Sequence, residues 1–495
     1  MKNANANKTG HRLILTQYSK HQQQIKEGSV FLMKKSKFKL FSIVLSLALL
    51  LSISNPFTLA SASNTNSTSI NTYHGQVLDS GKWAPNTYKA INNLIQENRT
   101  HNSKRKPYKK PYAVFDWDNT SIFQDTTDNV MNYQVNNLKF KMTPEQLEHS
   151  LTHGDNKPIP QEIFVEPYKN VNGQSVNIYN LSKDIVSDYK YFWAHYRGLN
   201  PNADGKLADI AAVQATDQFK DFKAKIWFAY SALIDTFGED AAYTWQLNLF
   251  VGYTPDELTQ LCNDAIEYYL AEKIQNVYFD SPATLPGIAG EVKNSAIGNY
   301  FTQGLRTVPE MSNLMNVLRQ NGIDVYISSA AMDTVVRSFA SNPLYGYNVP
   351  EENVLGERLK VDNAGRYKAE IPDKKDYAIN VKHGKAYNIN KYLVPKYGAN
   401  PILIAGDSSG DYEMMTELSG FNNVKMINDK KPVKMVLILN RIPGEGLGEL
   451  SKIAASQMGT PNPSIVLQGR NENTGLWIPD ERTLRLGKTS LQLIK

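Results

Sequence analysis

Three short apolar runs constrain this 495-residue chain more than any other feature. Tyr112-Ala113-Val114-Phe115, Ile323-Asp324-Val325-Tyr326-Ile327 and Pro401-Ile402-Leu403-Ile404-Ala405 each have the composition of a buried strand, and each leads into a polar segment. Helical patterns lie between them. Met311, Leu314, Met315 and Leu318 share one face, and the pattern stops at Gly322. Val424 to Ile427 and Met435 to Leu439 read as further strands. Apolar runs alternating with amphipathic helices predict an α/β fold, a parallel Rossmann-like sheet with helices on both faces.

The stretch 131–301 breaks this rhythm. Its strand signals are weak, while 183–197 and 218–237 are helix-compatible and carry Tyr189, Phe192, Trp193, Tyr196, Trp227, Phe228 and Tyr230. It reads as a mostly helical insertion packed over one end of the sheet. The aromatics read first as core residues at helical spacing, and second as a cage for a quaternary ammonium. Lys360 to Ala369 reads as a small hairpin turning at Asp362-Asn363-Ala364-Gly365. Tyr88, Ile91, Leu94 and Ile95 mark a short amphipathic helix before the basic linker Lys104 to Lys110. The expected division is a leader region 1–62, an N-terminal arm 63–107, a core of 108–130 and 302–470, the insertion 131–301, and a tail 471–495. Gln468-Gly469-Arg470-Asn471-Glu472-Asn473 reads as a polar turn with no chemical assignment.

The net charge of +6 is misleading as a guide to partners. Residues 1–62 hold nine Lys or Arg and one acid, so the remainder carries about −2. A body this close to neutral predicts no nucleic-acid partner. The basic segment fits a secretory signal instead. Lys34, Lys35, Lys37 and Lys39 precede a 14-residue apolar stretch, Leu40 to Ile53, and Ala60-Ser61-Ala62 is a small-residue cleavage site. Translation is expected to begin at Met33, and cleavage after Ala62 to release an exported protein without a stable membrane anchor. Cys262 is the single cysteine, so no disulfide forms within the chain.

Four polar segments carry the chemistry. Asp116-Trp117-Asp118-Asn119-Thr120 follows the first apolar run directly. Ligands of open α/β sheets bind beyond the carboxyl ends of strands. There one carboxylate can attack while another donates and recovers a proton. Its bland alternative is an acidic loop capping a helix. Ser329 follows the second run just before a helix expected near Met332, where a hydroxyl and free amides form an anion site. Ser is also an ordinary helix cap, and Ser328 competes for the role. Lys385, in His383-Gly384-Lys385, offers a point charge to a phosphate, although alone it reads as a solvated surface lysine. Gly406-Asp407-Ser408-Ser409-Gly410-Asp411 follows the third run. Gathering Asp116, Asp118, Asp407 and Asp411 without a cation would be strongly self-repelling. A hard divalent ion resolves that, and Mg²⁺ suits a few carboxylates plus water and phosphate.

In this order the segments resemble the four motifs of the haloacid dehalogenase superfamily, over about 108–130 and 302–440. The resemblance implies that the insertion is a C1-type cap, unusually long here. It implies Asp116 as nucleophile, forming an aspartyl-phosphate, and Asp118 as the acid and then the base. It implies Thr120, Ser329 and Lys385 as phosphate-binding residues. Mg²⁺ would be held by Asp116, Asp118 through its carbonyl oxygen and Asp407, with Asp411 supporting. The pairing of Asp116 with Asp118 favours phosphoryl transfer over dehalogenation.

Val325 to Ala340 and the flanking motifs look most like the phosphoserine phosphatase branch, and an exported member with a long cap resembles the bacterial phosphorylcholine phosphatases. The implied activity is a phosphoric monoester hydrolase acting on a small ester, with phosphocholine as one candidate. Phosphoserine phosphatase, a broad-specificity secreted acid phosphatase and a catalytically silent binding protein are the alternatives. No zinc-type histidine spacing, P-loop or nucleophile elbow is present.

Overall fold

The strands of the central sheet are too apolar to tolerate solvent on either side, which dictates a layer of helices on each face. In the computed structural model, which describes residues 76–100, 110–154 and 157–493, the sheet has six parallel strands. They are β1 Tyr112–Phe115, β2 Asp324–Met332, β3 Val354–Glu357, β4 Leu403–Gly406, β5 Met435–Leu439 and β6 Ile465–Gln468. The spatial order is β6-β5-β4-β1-β2-β3, and every pairing is parallel. Read from the other edge this is 3-2-1-4-5-6, the doubly wound order whose chain direction switches between β1 and β4. The leader and the start of the arm, 1–75, and most of the basic linker, 101–109, lie outside the described residues.

Strand periodicity sorts the side chains into two cores. Ala113, Phe115, Val325, Ile327, Leu403, Ala405 and Leu437 enter one, while Tyr112, Val114, Tyr326, Ile404, Val436 and Ile438 enter the other. Helix α1, Pro85–Asn98, closes the first core with Ile91, Leu94 and Ile95. The insertion follows β1 and is helical: α2 Thr126–Asn136, α3 Pro144–Thr152, α4 Ile178–His195, α5 Asp217–Phe237, α6 Glu239–Leu247 and α7 Pro255–Ala271. Local signals start these helices. Thr143 with Gln146 and Thr254 with Glu257 form capping boxes, each with Pro in the first turn. Helices α8 Pro309–Gln320 and α9 Asp333–Ala340 return to the first core. Helices α10 His383–Asn388, α11 Tyr412–Thr416 and α12 Glu445–Ser456 supply Ala386, Met414, Met415, Leu447 and Leu450 to the second.

Two local expectations fail. Val424 to Ile427 is not a strand. Asn422 and Asn423 both take positive φ, at 55° and 59°, and the Ile427 amide donates to the Glu417 carbonyl instead of a sheet neighbour. The second strand does not end at Ile327 but runs to Met332, so Ser329 lies within β2 and the next helix begins at Asp333. The expected tail is folded over 471–493. Arg470–Asn471 pairs antiparallel with Leu476–Trp477, and Trp477 packs edge-on against Trp83 at 4.7 Å. Among the described residues, no helix is long and apolar enough to cross a membrane.

Candidate active site

The carboxyl ends of β1 and β4 are adjacent in the sheet, and the first residue beyond each is an aspartate. The Asp116 amide donates to the Ala405 carbonyl at 2.9 Å, which extends the β1–β4 ladder to the site itself. Trp117 then turns into the core, fully buried against Phe339 and Tyr347. That alternation leaves Asp116 and Asp118 both on the wall of a cavity of about 180 Å³. Asn119 has φ of 60°, a left-handed position that asparagine tolerates better than most residues. The chain there folds back to α2 instead of continuing as a strand.

Asp116, Asp407 and Asp411 each offer a carboxylate oxygen within 4.8 Å of the others, and all three are buried. Lys385 lies between two of them, its Nζ donating to Asp116 Oδ1 at 2.6 Å and to Asp411 Oδ1 at 2.7 Å. It is 3% exposed, so the surface reading of this lysine is wrong. Asp411 reaches back to accept from the amides of Asp407 and Ser408, at 3.0 and 3.2 Å. Gly406 makes this possible, since a Cβ there would lie 2.6 Å from Asp411 Oδ2.

Asp407 uses both oxygens, accepting from Thr120 Oγ1 at 2.7 Å and from Arg441 Nη1 at 2.7 Å. Thr120 therefore departs from its expected place. Its hydroxyl is spent on Asp407, and the residue does not line the cavity. Ser329 does line it, with its Oγ accepting from the Ala331 amide at 3.1 Å. Ser328 points the other way, to Asn380. Strand parity thus decides between the two serines.

The two catalytic candidates sit in different surroundings. Burial, with Asp411 beside it, raises the Asp116 pKa, while Lys385 pulls against that shift. Burial and then Asp125 raise that of Asp118, against the lowering effect of the Thr126 hydrogen bonds. Asp118 Oδ1 accepts from both the amide and the hydroxyl of Thr126, at 2.7 and 2.6 Å, which fixes the carboxyl in the cavity wall.

A hard divalent cation fits this donor set. Three buried carboxylates converge and Lys385 compensates only part of their charge. An ion there would also favour the ionised form of Asp116.

The cavity wall includes residues that the motif pattern does not contain. Asp125 caps α2, accepting from the Asp128 amide at 2.7 Å. Asp125 follows the first motif in a cap pattern that the sequence displays. Arg441 comes from just beyond β5 and carries no flanking pattern that would announce it. The insertion supplies Tyr230 from α5 and Glu239, Tyr243 and Gln246 from α6. Of the seven aromatics singled out in sequence, Tyr230 reaches the cavity. Tyr189 and Phe192 instead pack on Phe222 and Phe140 within the insertion's own core.

No protein-family model matches the chain. A phosphorylcholine phosphatase of Pseudomonas aeruginosa is 23% identical over 370 residues, covering 70% of this chain and 81% of that protein. A solved structure from Anaerococcus prevotii, a conserved protein of unknown function, is 30% identical. It aligns with a TM-score of 0.70 over 84% of this chain and 99% of that one.

Proposed function

We propose that this chain is a phosphatase of the haloacid dehalogenase superfamily and hydrolyses a small phosphate monoester through a phosphorylated Asp116. The observation that carries the reading is the meeting of Asp116, Asp407 and Asp411 with Lys385 at the switch point of the sheet.

Asp116 attacks phosphorus in line and displaces the alcohol. Asp118, whose ionisation burial and Asp125 disfavour, gives a proton to the departing oxygen and later takes one from the water that hydrolyses the acyl phosphate. Lys385 keeps the attacking carboxylate oriented and offsets the charge that gathers on the phosphoryl oxygens. Ser329 offers its hydroxyl to the same oxygens. Asp116, Asp407 and Asp411, with the Asp118 carbonyl, are the residues to hold Mg²⁺. When bound, the ion supplies electrostatic stabilisation of the phosphoryl group.

The substrate we favour is phosphocholine. The relative's name supports it, and so does the part of the wall that the insertion supplies. Tyr230 and Tyr243 contribute aromatic rings to that wall and Glu239 a carboxylate, the kinds of group that recognise a quaternary ammonium. The cavity of about 180 Å³ suits a headgroup of that size. The leader at 33–62 supports export, for which N-terminal sequencing of protein recovered from the medium is expected to begin at Ser63.

A phosphate-release panel tests the reading. Phosphocholine, phosphoserine, nucleotides and sugar phosphates would be compared with and without Mg²⁺. The expected result is Mg²⁺-dependent release, highest on phosphocholine and lost in Asp116→Asn. Equal rates across the panel would make the enzyme unspecific, and wild-type rates in Asp116→Asn would remove the nucleophile assignment.

A further inference from the structure

A phosphate dianion entering this cavity meets five acidic side chains on its wall, Asp116, Asp118, Asp125, Glu239 and Asp407, against two basic ones, Lys385 and Arg441. Lys385 has already committed two of its three donors, to Asp116 and Asp411. The remaining positive charge is Arg441. Its Nη1 donates to Asp407 Oδ2, and among the described residues its Nη2 makes no hydrogen bond. The side chain is 33% exposed, and the residue lines the cavity. A planar guanidinium with donors to spare is the group best matched to a phosphate edge.

The chain is built to hold Arg441 there. Asn440, fully buried at the end of β5, donates to the Glu481 carbonyl at 2.8 Å and accepts from the Ile442 amide at 3.0 Å. Ile442 itself has φ of 57°, a strained conformation for a β-branched residue that the surroundings must impose. Arg485 donates to the Arg441 carbonyl and pairs with Glu472 at 3.1 Å. The Glu472 carboxylate, 7% exposed, faces Arg441 Nε at 3.9 Å and Arg470 Nη2 at 3.7 Å. Arg470 in turn donates to the Asn119 carbonyl at 2.5 Å, beside the nucleophile.

We propose that Arg441 binds the non-bridging oxygens of the ester phosphate, and that Glu472 positions it from the folded C-terminal segment. This rests on the phosphatase reading above.

Calorimetric titration of the mature chain with inorganic phosphate, with and without Mg²⁺, tests it without turnover. R441A is expected to weaken phosphate binding about ten- to a hundredfold, as for loss of a hydrogen-bonded charge. Guanidinium added to the medium is expected to restore part of it, an effect that a purely structural role would not produce. R441K is expected to lose less, because it keeps the charge without the fork, and it decides the matter should R441A fail to fold. E472Q is expected to weaken phosphate binding severalfold while leaving the thermal unfolding midpoint nearly unchanged. Phosphate affinity in R441A within twofold of the unaltered chain, with Mg²⁺ affinity increased, would overturn the proposal and leave Arg441 as a counter-charge to Asp407. If the unaltered chain hydrolyses esters while R441A binds phosphate equally well, this inference alone falls. If the unaltered chain binds no phosphate, the phosphatase reading falls with it.

Discussion

Asp116 and Asp118 are two residues apart, yet their neighbours give them opposite tasks. Asp116 faces Lys385 at 2.6 Å, a contact that favours its ionised form, whereas Asp118 has Asp125 beside it, which disfavours ionisation and is opposed by the donors of Thr126. The division predicts a leaving-group signature. Asp118→Asn is expected to lower kcat about 10²- to 10⁴-fold on an alkyl ester such as phosphocholine. It should cost much less on p-nitrophenyl phosphate, whose leaving group departs without a proton; equal losses on both would remove Asp118 as the acid. Gly406→Ala is a second test at this scale. A methyl 2.6 Å from Asp411 Oδ2 must displace that carboxylate, so activity should fall by more than tenfold while the secondary structure, read by circular dichroism, persists. The four acids of the motifs were legible because each stands just past an apolar run. Arg441 and Asp125 were not singled out, since one charged residue after a strand or at a helix cap is commonplace.

At the scale of elements, parity and length carried different amounts of information. The apolar runs located β1, β4 and β5, but β2 extends five residues beyond the run that announced it. Its extension is less apolar, Ser328-Ser329-Ala330-Ala331-Met332, and is held from outside. Asn380, fully buried, donates to Ser328 Oγ at 3.1 Å, the Ser329 carbonyl at 2.8 Å and the Leu355 carbonyl at 3.0 Å. No local pattern encodes that support. Glu357, at the end of β3, accepts from the Asn380 amide, and burial pushes its carboxyl up to about 8 from 4.5. The folded chain therefore keeps a proton that the unfolded chain releases above pH 4.5. Its contribution to stability is full below that pH and is lost as pH rises toward about 8. Glu357→Gln should remove this slope and gain on the unaltered chain by up to about 1.4 kcal/mol per pH unit between about pH 5 and pH 8. Parallel urea-unfolding curves at every pH would refute the assignment.

Across the whole molecule, residues from six separate stretches and from two kinds of architecture share one cavity. The segments beyond the carboxyl ends of β1, β4 and β5 supply Asp116, Asp118, Asp407 and Arg441, α10 supplies Lys385, and α5 and α6 of the insertion supply the face with Tyr230, Glu239 and Tyr243. The helical character of the insertion was readable from its periodicity. Which of its aromatics reach the cavity was not, because burial in a helical core and exposure to a ligand select the same residue types. Glu239→Gln is expected to raise KM for phosphocholine about tenfold and to leave that for p-nitrophenyl phosphate unchanged. The segment after β6, where sequence offered a turn and a tail, proved to brace the site through Arg470 and Glu472. Chelation with EDTA should suppress turnover at least about a hundredfold, with recovery on adding Mg²⁺. The most direct test of the whole account is chemical trapping of the phosphorylated enzyme. Borohydride reduction of enzyme quenched during turnover converts an acyl phosphate to an alcohol, so peptide mass spectrometry should find homoserine at position 116. Reduction at another carboxylate, or at none while phosphate is released at the full rate, would contradict it.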